Sequence, residues 1–380
     1  MIVSSHDFEG IPDDLQTRVR AMQGVHADVV KVAVTAKSLG DCLTLKRAFA
    51  GVDSPVAIAM GGPGRLTRLW PAWTGSRWTY GGAAAPGQAT TRELVDVYRV
   101  RETTASTSVY GVCGAPLGHS ASPAMHNAAF RSLGLDAVYL PLETRSAADL
   151  FEMADALGLS GASVTIPLKR DLLTSRQPLV DVDELPRQIG ALNTLRRGAK
   201  GWEGRNFDVA GFLAPLQERG VALKGRRALV LGAGGAARAG VAGLRSAGAD
   251  VAIAARRLDA ARDLAAEFGV RAIEWPPTDD WDVLVNTTPV GMWPRVGESP
   301  LDPSSDQALR SASGNLVYDM VYNPMDTKLL TQARAAGAIV VGGLEMLVGQ
   351  ACRQLEWWTG RTAPRDVMMK AAMDFVRQLS

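Results

Sequence analysis

Lys169 and Asp208 are the residues of this chain best suited to move a proton. Lys169 closes the apolar run SVTIPLK and Asp208 closes GRNFD. Hydride delivery to a carbonyl leaves an alkoxide, so a reaction of that kind needs a proton donor within reach. Taken singly, each residue reads more readily as a surface charge. A second group of residues gives them meaning. Gly232, Gly234 and Ala237 of VLGAGGAAR come directly after ALVL and directly before an Ala-rich stretch. With that spacing the first glycine permits a tight turn, the second lets backbone approach a pyrophosphate, and the helix start offers unpaired N–H groups. Gly235 and Ala236 belong to the same bend. The next apolar run, DVAIA, leads into Ala255-Arg256-Arg257. A carboxylate there would bond a ribose 2′-hydroxyl, whereas two guanidiniums favour a 2′-phosphate and so NADP, unless the turn is merely solvated and basic. The front holds a third pair. His6 precedes Lys31 by 25 residues, about one βα unit, so both side chains can emerge at the same end of neighbouring strands. An amine beside a base is the arrangement for Schiff-base chemistry, and the bland alternative is a strand-end lysine reaching out to water.

These groups must be carried by repeated βα units. From residue 1 to about 100, MIVSSHDF, ADVVKVAVTA, SPVAIAMGG and GSRWTYGG alternate with helix-like segments, which predicts four parallel βα units. ETTASTS, residues 102–108, is small, polar and aperiodic, and reads as a linker between a front region at 1–101 and an α/β domain at 109–210. A dinucleotide-binding βαβ unit opens the next domain, 211–345, and helices at 346–380 are expected to return to the preceding domain.

Composition excludes several classes. The 380 residues leave room for roughly two or three domains at ~150 residues each. Forty-one basic against 39 acidic residues give +2, no one-signed field for nucleic acid or an anionic membrane, so a small molecule is the expected partner. Cys42, Cys113 and Cys352 are scattered, and His6, His26, His119 and His126 have no ligand spacing, which points to metal-free chemistry in the cytoplasm. No run reaches the ~18 apolar residues of a membrane span.

YGVCGAPLGHSASPAMHNAAF, VTIPLK, GALNTL, GRNFDVAGF, VLGAGGAAR, VNTTPVGM, VYDMVYNPMDTKLL and GLEMLVGQA follow one another over residues 109–380. In order and interval this series resembles the shikimate dehydrogenase family. The resemblance implies a two-domain α/β fold with a Rossmann-type NADP domain, an active site between the domains, and reversible NADP-linked oxidation of shikimate to 3-dehydroshikimate by a monomer or homodimer. It implies that Ser120 and Ser122 hold the substrate carboxylate and that Thr165, Asn193, Tyr322 and Gln350 bind the ring and its hydroxyls. Lys169 and Asp208 become the catalytic pair. Asn286, Thr287, Thr288, Gly343 and Met346 would lie along the cofactor. Three positions depart from the pattern: Ser163 replaces an asparagine, Phe207 a threonine, and Ala255-Arg256-Arg257 stands for Asn-Arg-Thr. A quinate or quinate/shikimate dehydrogenase is the alternative within the family, and an NADP-binding module without turnover the alternative outside enzymes.

The front resembles type I 3-dehydroquinate dehydratase, an eight-stranded (β/α) barrel, through SSHDF, DVVKVAV, AMGGPGRLTR and APGQ. It implies Lys31 as the Schiff-base lysine, His6 as the proton-transfer group, and Arg68 and Gln88 as substrate ligands. Only the last four βα units of such a barrel are represented, and half a barrel leaves open strand edges and a bare inner face. The expectation is a vestigial, inactive dehydratase segment, or a bifunctional enzyme if the barrel is completed.

Overall fold

A computed structural model describes residues 1–380 apart from 83, 86, 175–178, 279, 302–312 and 380. The chain divides into two compact units, Met1–Arg205 and Asn206–Ser380, so the stretch 102–108 lies inside the first.

In the first unit, β1 (Ile2–Asp7), β2 (Val29–Thr35) and β3 (Pro55–Met60) form a parallel sheet in that order. Every residue of β3 and most of β2 are buried, as parallel strands covered on both faces require. The fourth expected strand does not form: residues 75–82 adopt no strand. Glycines at 75, 81 and 82, all but Gly81 with positive φ, interrupt this segment, which meets the edge of β3 through Ser76 Oγ, accepting from Ala57 N at 2.9 Å, and Arg77 N, donating to Pro55 O at 3.0 Å. Trp78 instead packs over Val29, Ala33, Val56, Ile58 and Met60. The inner face expected to be bare is therefore covered by this segment, while no further strand pairs with β1 or β3 among the described residues.

Behind the front sheet lies a second one, ordered β5-β4-β6-β8-β9-β7. Its strands are β4 (Ser108–Gly114), β5 (Ala137–Glu143), β6 (Leu159–Val164), β7 (Leu179–Val182), β8 (Thr194–Gly198) and β9 (Gly201–Arg205). β5, β4 and β6 run parallel, and β8 returns antiparallel to β6 and β9. One apolar cluster joins the two sheets, from Val30, Leu39 and Trp73 on the front side to Leu140, Phe151 and Trp202 on the other. The Asp149 carboxylate accepts from Leu39 N (3.1 Å), Gly40 N (2.8 Å) and the Thr144 hydroxyl (2.7 Å). It thus satisfies the start of helix Leu39–Ala48, alongside the local capping box of Ser38 and Asp41. Trp73 Nε1 donates to Ala156 O at 3.3 Å across the same boundary.

The second unit is built on six parallel strands: β10 (Arg227–Leu231), β11 (Asp250–Ala254), β12 (Arg271–Ile273), β13 (Val283–Asn286), β14 (Leu316–Asp319) and β15 (Ile339–Gly342). They are ordered β12-β11-β10-β13-β14-β15, the doubly wound arrangement whose switch point lies between β10 and β13. Helix Gly343–Thr359 packs along helix Asp208–Glu218, so the C-terminal helices sit in this unit. Gly211 makes the close crossing possible: a Cβ there would meet Gln350 N at 2.8 Å and Met346 O at 2.9 Å.

Candidate active site

In the first unit the polar candidates gather at the ends of β4, β6 and β8. The segments leaving β4 and β6 are tied together by Thr165 N to Cys113 O (2.9 Å) and Ala115 N to Ile166 O (2.9 Å). Gly114, at φ +147°, allows this contact, since a Cβ would fall 2.5 Å from Thr165 Cγ2. Ser120 and Ser122 follow on the first segment, Ser120 Oγ lying 3.4 Å from Ser122 N. Thr165 and Lys169 follow on the second. Sequence reading put Lys169 at the end of a strand, but β6 stops at Val164, and Lys169 is the second residue of helix Leu168–Thr174. Pro167, which removes a ladder donor, ends the extended run ahead of it. The Lys169 carbonyl accepts from Leu192 N at 2.9 Å, which brings Asn193 alongside. Asn193 is buried, and its Oδ1 accepts from the Thr194 hydroxyl at 2.6 Å. Ser120, Ser122, Thr165, Lys169 and Asn193 thus share one end of the sheet. Glu143 supports this corner, its carboxylate accepting from Leu117 N at 3.1 Å and occupying the place a side chain at Gly62 would need.

Sequence reasoning missed Tyr139 and gave Ser163 only as a departure. Tyr139, fully buried on β5, donates to Ser163 Oγ at 2.6 Å. Burial pushes its phenol far above the usual range, so it stays protonated. A tyrosine in an apolar strand is an ordinary core residue, so no local signal marks it.

In the second unit the glycine bend has the shape its spacing predicts. Gly232 adopts φ +109°, and a Cβ there would fall 2.7 Å from Thr287 Oγ1, so the turn needs glycine. Gly234 is the extended N-cap of helix Gly235–Ser246, and Gly234 and Gly235 face open space. An open ledge at the start of a twelve-residue helix fits a pyrophosphate. Arg256 and Arg257 follow the neighbouring strand, are exposed, and their guanidiniums have no ion-pair or hydrogen-bond partner among the described residues. They fit a 2′-phosphate.

Asn286 sits one layer back from that ledge. Wholly buried, its amide donates to Asp319 Oδ1 (2.9 Å) and its Oδ1 accepts from Thr288 N (3.0 Å) and Thr288 Oγ1 (2.7 Å). The Thr287 hydroxyl is likewise spent on Leu231 O at 2.7 Å. Asp319 accepts also from Val321 N and Thr327 Oγ1, and burial raises its pKa. This polar cluster fixes the turn after β13. Gly343 opens its helix with Met320 O where a Cβ would be, at 2.3 Å, which seats the loop carrying Tyr322 on that helix start. Burial raises the Tyr322 phenol. Met346 and Gln350 lie one and two turns along. Asp208 is the first residue of its helix, its N–H donating to Asn206 Oδ1 at 2.9 Å, and Phe207 meets Trp357 edge-on.

At the front, the register sets Ser4 beside Lys31 and His6 beside Ala33, so His6 and Lys31 share a face. Lys31 Nζ lies 3.0 Å from His6 Nε2 and 5.4 Å from the centre of the Tyr80 ring. Arg68 is buried, its Nε without a partner, and desolvation lowers its pKa. Gln88 is committed to its own loop, accepting from Ala84 N and Ala85 N and donating to Tyr80 O. No group of three potential metal ligands occurs among the described residues, and none of their helices is long and apolar enough to cross a membrane.

The second unit places the chain in the class of doubly wound α/β proteins built to hold a dinucleotide at a glycine bend, and the first adds a polar cluster on its own sheet. Comparison with known proteins narrows that class. Residues 112–195 match the shikimate dehydrogenase substrate binding domain, 343–373 the shikimate 5′-dehydrogenase C-terminal domain, and 1–105 type I 3-dehydroquinase. The shikimate dehydrogenase (NADP(+)) of Pelobacter propionicus is 42% identical over 68% of this chain and 93% of its own length. The Thermus thermophilus shikimate 5-dehydrogenase, solved with NADP(H) and shikimate, superposes with a TM-score of 0.64 at 36% identity, covering 70% of this chain and 99% of that one. The chain belongs to the shikimate dehydrogenase family. The chloroplastic bifunctional 3-dehydroquinate dehydratase/shikimate dehydrogenase of Arabidopsis thaliana is 35% identical over 97% of this chain, which spans 64% of that relative's length.

Proposed function

We propose that this chain is an NADP-dependent shikimate dehydrogenase that interconverts 3-dehydroshikimate and shikimate, acting in the cytoplasm as a monomer or homodimer. The observation that carries the reading is the gathering of Ser120, Ser122, Thr165, Lys169 and Asn193 at one end of a sheet, in a chain 42% identical to an NADP-linked shikimate dehydrogenase. Hydroxyl and amide groups that all need partners reject an analogue lacking a hydroxyl far better than an apolar pocket does. Ser120 and Ser122 bind the carboxylate, while Thr165, Asn193, Tyr322 and Gln350 take the ring and its hydroxyls. NADPH, when bound, supplies the hydride. Gly232, Gly234, Gly235 and Ala236 hold its pyrophosphate, Arg256 and Arg257 its 2′-phosphate, and Thr288, Gly343 and Met346 flank it, with Asn286 and Thr287 shaping the turn. Lys169 delivers a proton to the carbonyl oxygen in reduction and Asp208 shares it. Mixing the purified chain with NADPH and 3-dehydroshikimate and following absorbance near 340 nm tests the reading: steady loss of NADPH is expected, and its absence refutes it.

A second reading rests on the 3.0 Å contact of Lys31 with His6. We propose that these residues, with Arg68 and Gln88, are the retained part of a dehydratase site that is silent in this chain alone and works only when further strands complete the barrel.

A further inference from the structure

One side chain links the front region to the turn that carries Ser120. Glu143, the last residue of β5, lies where two loops of the first unit meet. One loop, residues 61–64, leaves β3 of the front sheet. The other, the turn at 117–120, follows β4 and leads to Ser120 and Ser122.

Both loops meet the same carboxylate. Glu143 Oε2 accepts from Leu117 N at 3.1 Å, and Leu117 O accepts in turn from Ser120 N at 3.1 Å. Ser120 Oγ lies 3.4 Å from Ser122 N, so the carboxylate holds the first residue of the turn that sets both serines. The front loop closes on that carboxylate at Gly62. A Cβ there would fall 2.6 Å from Glu143 Cδ and 3.0 Å from Oε2, so only glycine leaves the carboxylate in place. The loop has little room to retreat, because Gly64 is pressed against Met60 O, 2.6 Å from where its own Cβ would be. The next residue doubles the tie. Thr144 N donates to Gly114 O at 3.0 Å, and its hydroxyl donates to Asp149, the carboxylate that caps the front helix Leu39–Ala48.

We infer that Glu143 is a positioning residue for binding of the substrate carboxylate, kept in place by Gly62, so that the dehydratase-like front region is a working part of the dehydrogenase site. The inference rests on the proposed substrate site and goes beyond it by giving the front region a share in the dehydrogenase reaction. The substrate carboxylate takes no part in hydride transfer, so a turn that presents Ser120 to it strengthens ground state and transition state alike. Its loss is therefore read in KM and not in kcat.

Steady-state kinetics of the full chain with shikimate and NADP, beside urea unfolding of each variant, provide the test. Glu143→Ala should raise the KM for shikimate about 10-fold and leave kcat and the KM for NADP within about twofold. Glu143→Gln keeps an acceptor for Leu117 N and should stay within about threefold of the parent. Gly62→Ala shifts the end of a flexible side chain rather than backbone; it should raise the KM for shikimate about fivefold, and in the Glu143→Ala background it should add nothing. An unchanged KM in Glu143→Ala, a glutamine variant as weak as the alanine one, or Gly62 and Glu143 effects that multiply would each overturn the inference. So would a kcat that falls in step with the rise in KM, the mark of a general loosening. Should Glu143→Ala fail to fold, Gly62→Ala decides: a raised KM with kcat kept supports the inference and an unchanged KM overturns it. A parent chain that does not turn over shikimate overturns the functional reading and this inference with it; turnover that ignores both substitutions overturns only the inference.

Discussion

The front sheet and the sheet of the second unit are both made of parallel βα repeats, yet they treat their functional groups in opposite ways. In the second unit six strands enclose a switch point, a glycine is forced at position 232, and space is kept open before Gly234 and Gly235. In the front region a lysine and a histidine are at hydrogen-bond distance, but among the described residues three strands support them and Trp78 packs on the inner face. The contrast teaches that holding a reactive pair takes less of a fold than shaping a pocket around it. Two adjacent strands are enough to hold Lys31 against His6; a pocket requires the rest of the sheet.

The contrast can be tested from the largest effect downward. Lys169→Ala should lower turnover by at least ~100-fold, with NADPH affinity little changed, in line with what a proton-transfer group contributes; unchanged turnover would put the proton elsewhere. Replacing both Arg256 and Arg257 by alanine should raise the KM for NADPH about 10- to 100-fold and leave that for NADH near its starting value, the scale of charge-assisted bonds to a phosphate. Equal losses for the two coenzymes would show that the open end of the dinucleotide sheet does not read the 2′-phosphate.

Stability sharpens the same comparison. Burial pushes the Cys113 thiol of the first unit up to about 12 and the Cys352 thiol of the second up to about 11, from an ordinary 9.0. Above pH 9 the unfolded chain gives up these protons while the folded chain keeps them, so stability falls as pH rises, by up to about 1.4 kcal/mol per pH unit for each thiol. Cys42, also in the first unit, is shifted in the same direction. Tm measured from pH 8 to 10.5 should decline, and replacing Cys113 with alanine should flatten that decline; a flat wild-type profile would contradict it. Asp149→Ala should cost about 1–2 kcal/mol by uncapping helix Leu39–Ala48, measured by urea unfolding. A neutral result would mean that the front sheet is held by its apolar contacts alone. At the bottom of the scale, borohydride added with 3-dehydroquinate should leave Lys31 unlabelled in this chain. Labelling would show that three strands suffice for imine formation.

How much of this was legible in the sequence depended on whether the signal was local. The glycine bend was legible because Gly232, Gly234 and Ala237 carry their geometry in their spacing. The meeting of His6 and Lys31 followed from the length of one βα repeat. The run GSRWTYGG read as a strand because it is the fourth of the short runs that alternate with helix-like segments, but glycines bound it and its tryptophan packs over β2 and β3. Asp149 and Tyr139 were invisible for a different reason. Their partners lie 110 and 24 residues away, and nothing in an isolated aspartate or tyrosine names the atom it will meet.

The bonds of Asp149 to Leu39 and Gly40 also order events in time. During synthesis the segment Leu39–Ala48 leaves the ribosome long before residue 149 exists, and until that carboxylate arrives two of its amide protons can be answered only by water. This earlier-made helix is therefore completed only after a later stretch has emerged, and a chain stalled near residue 110 would hold its start unfinished.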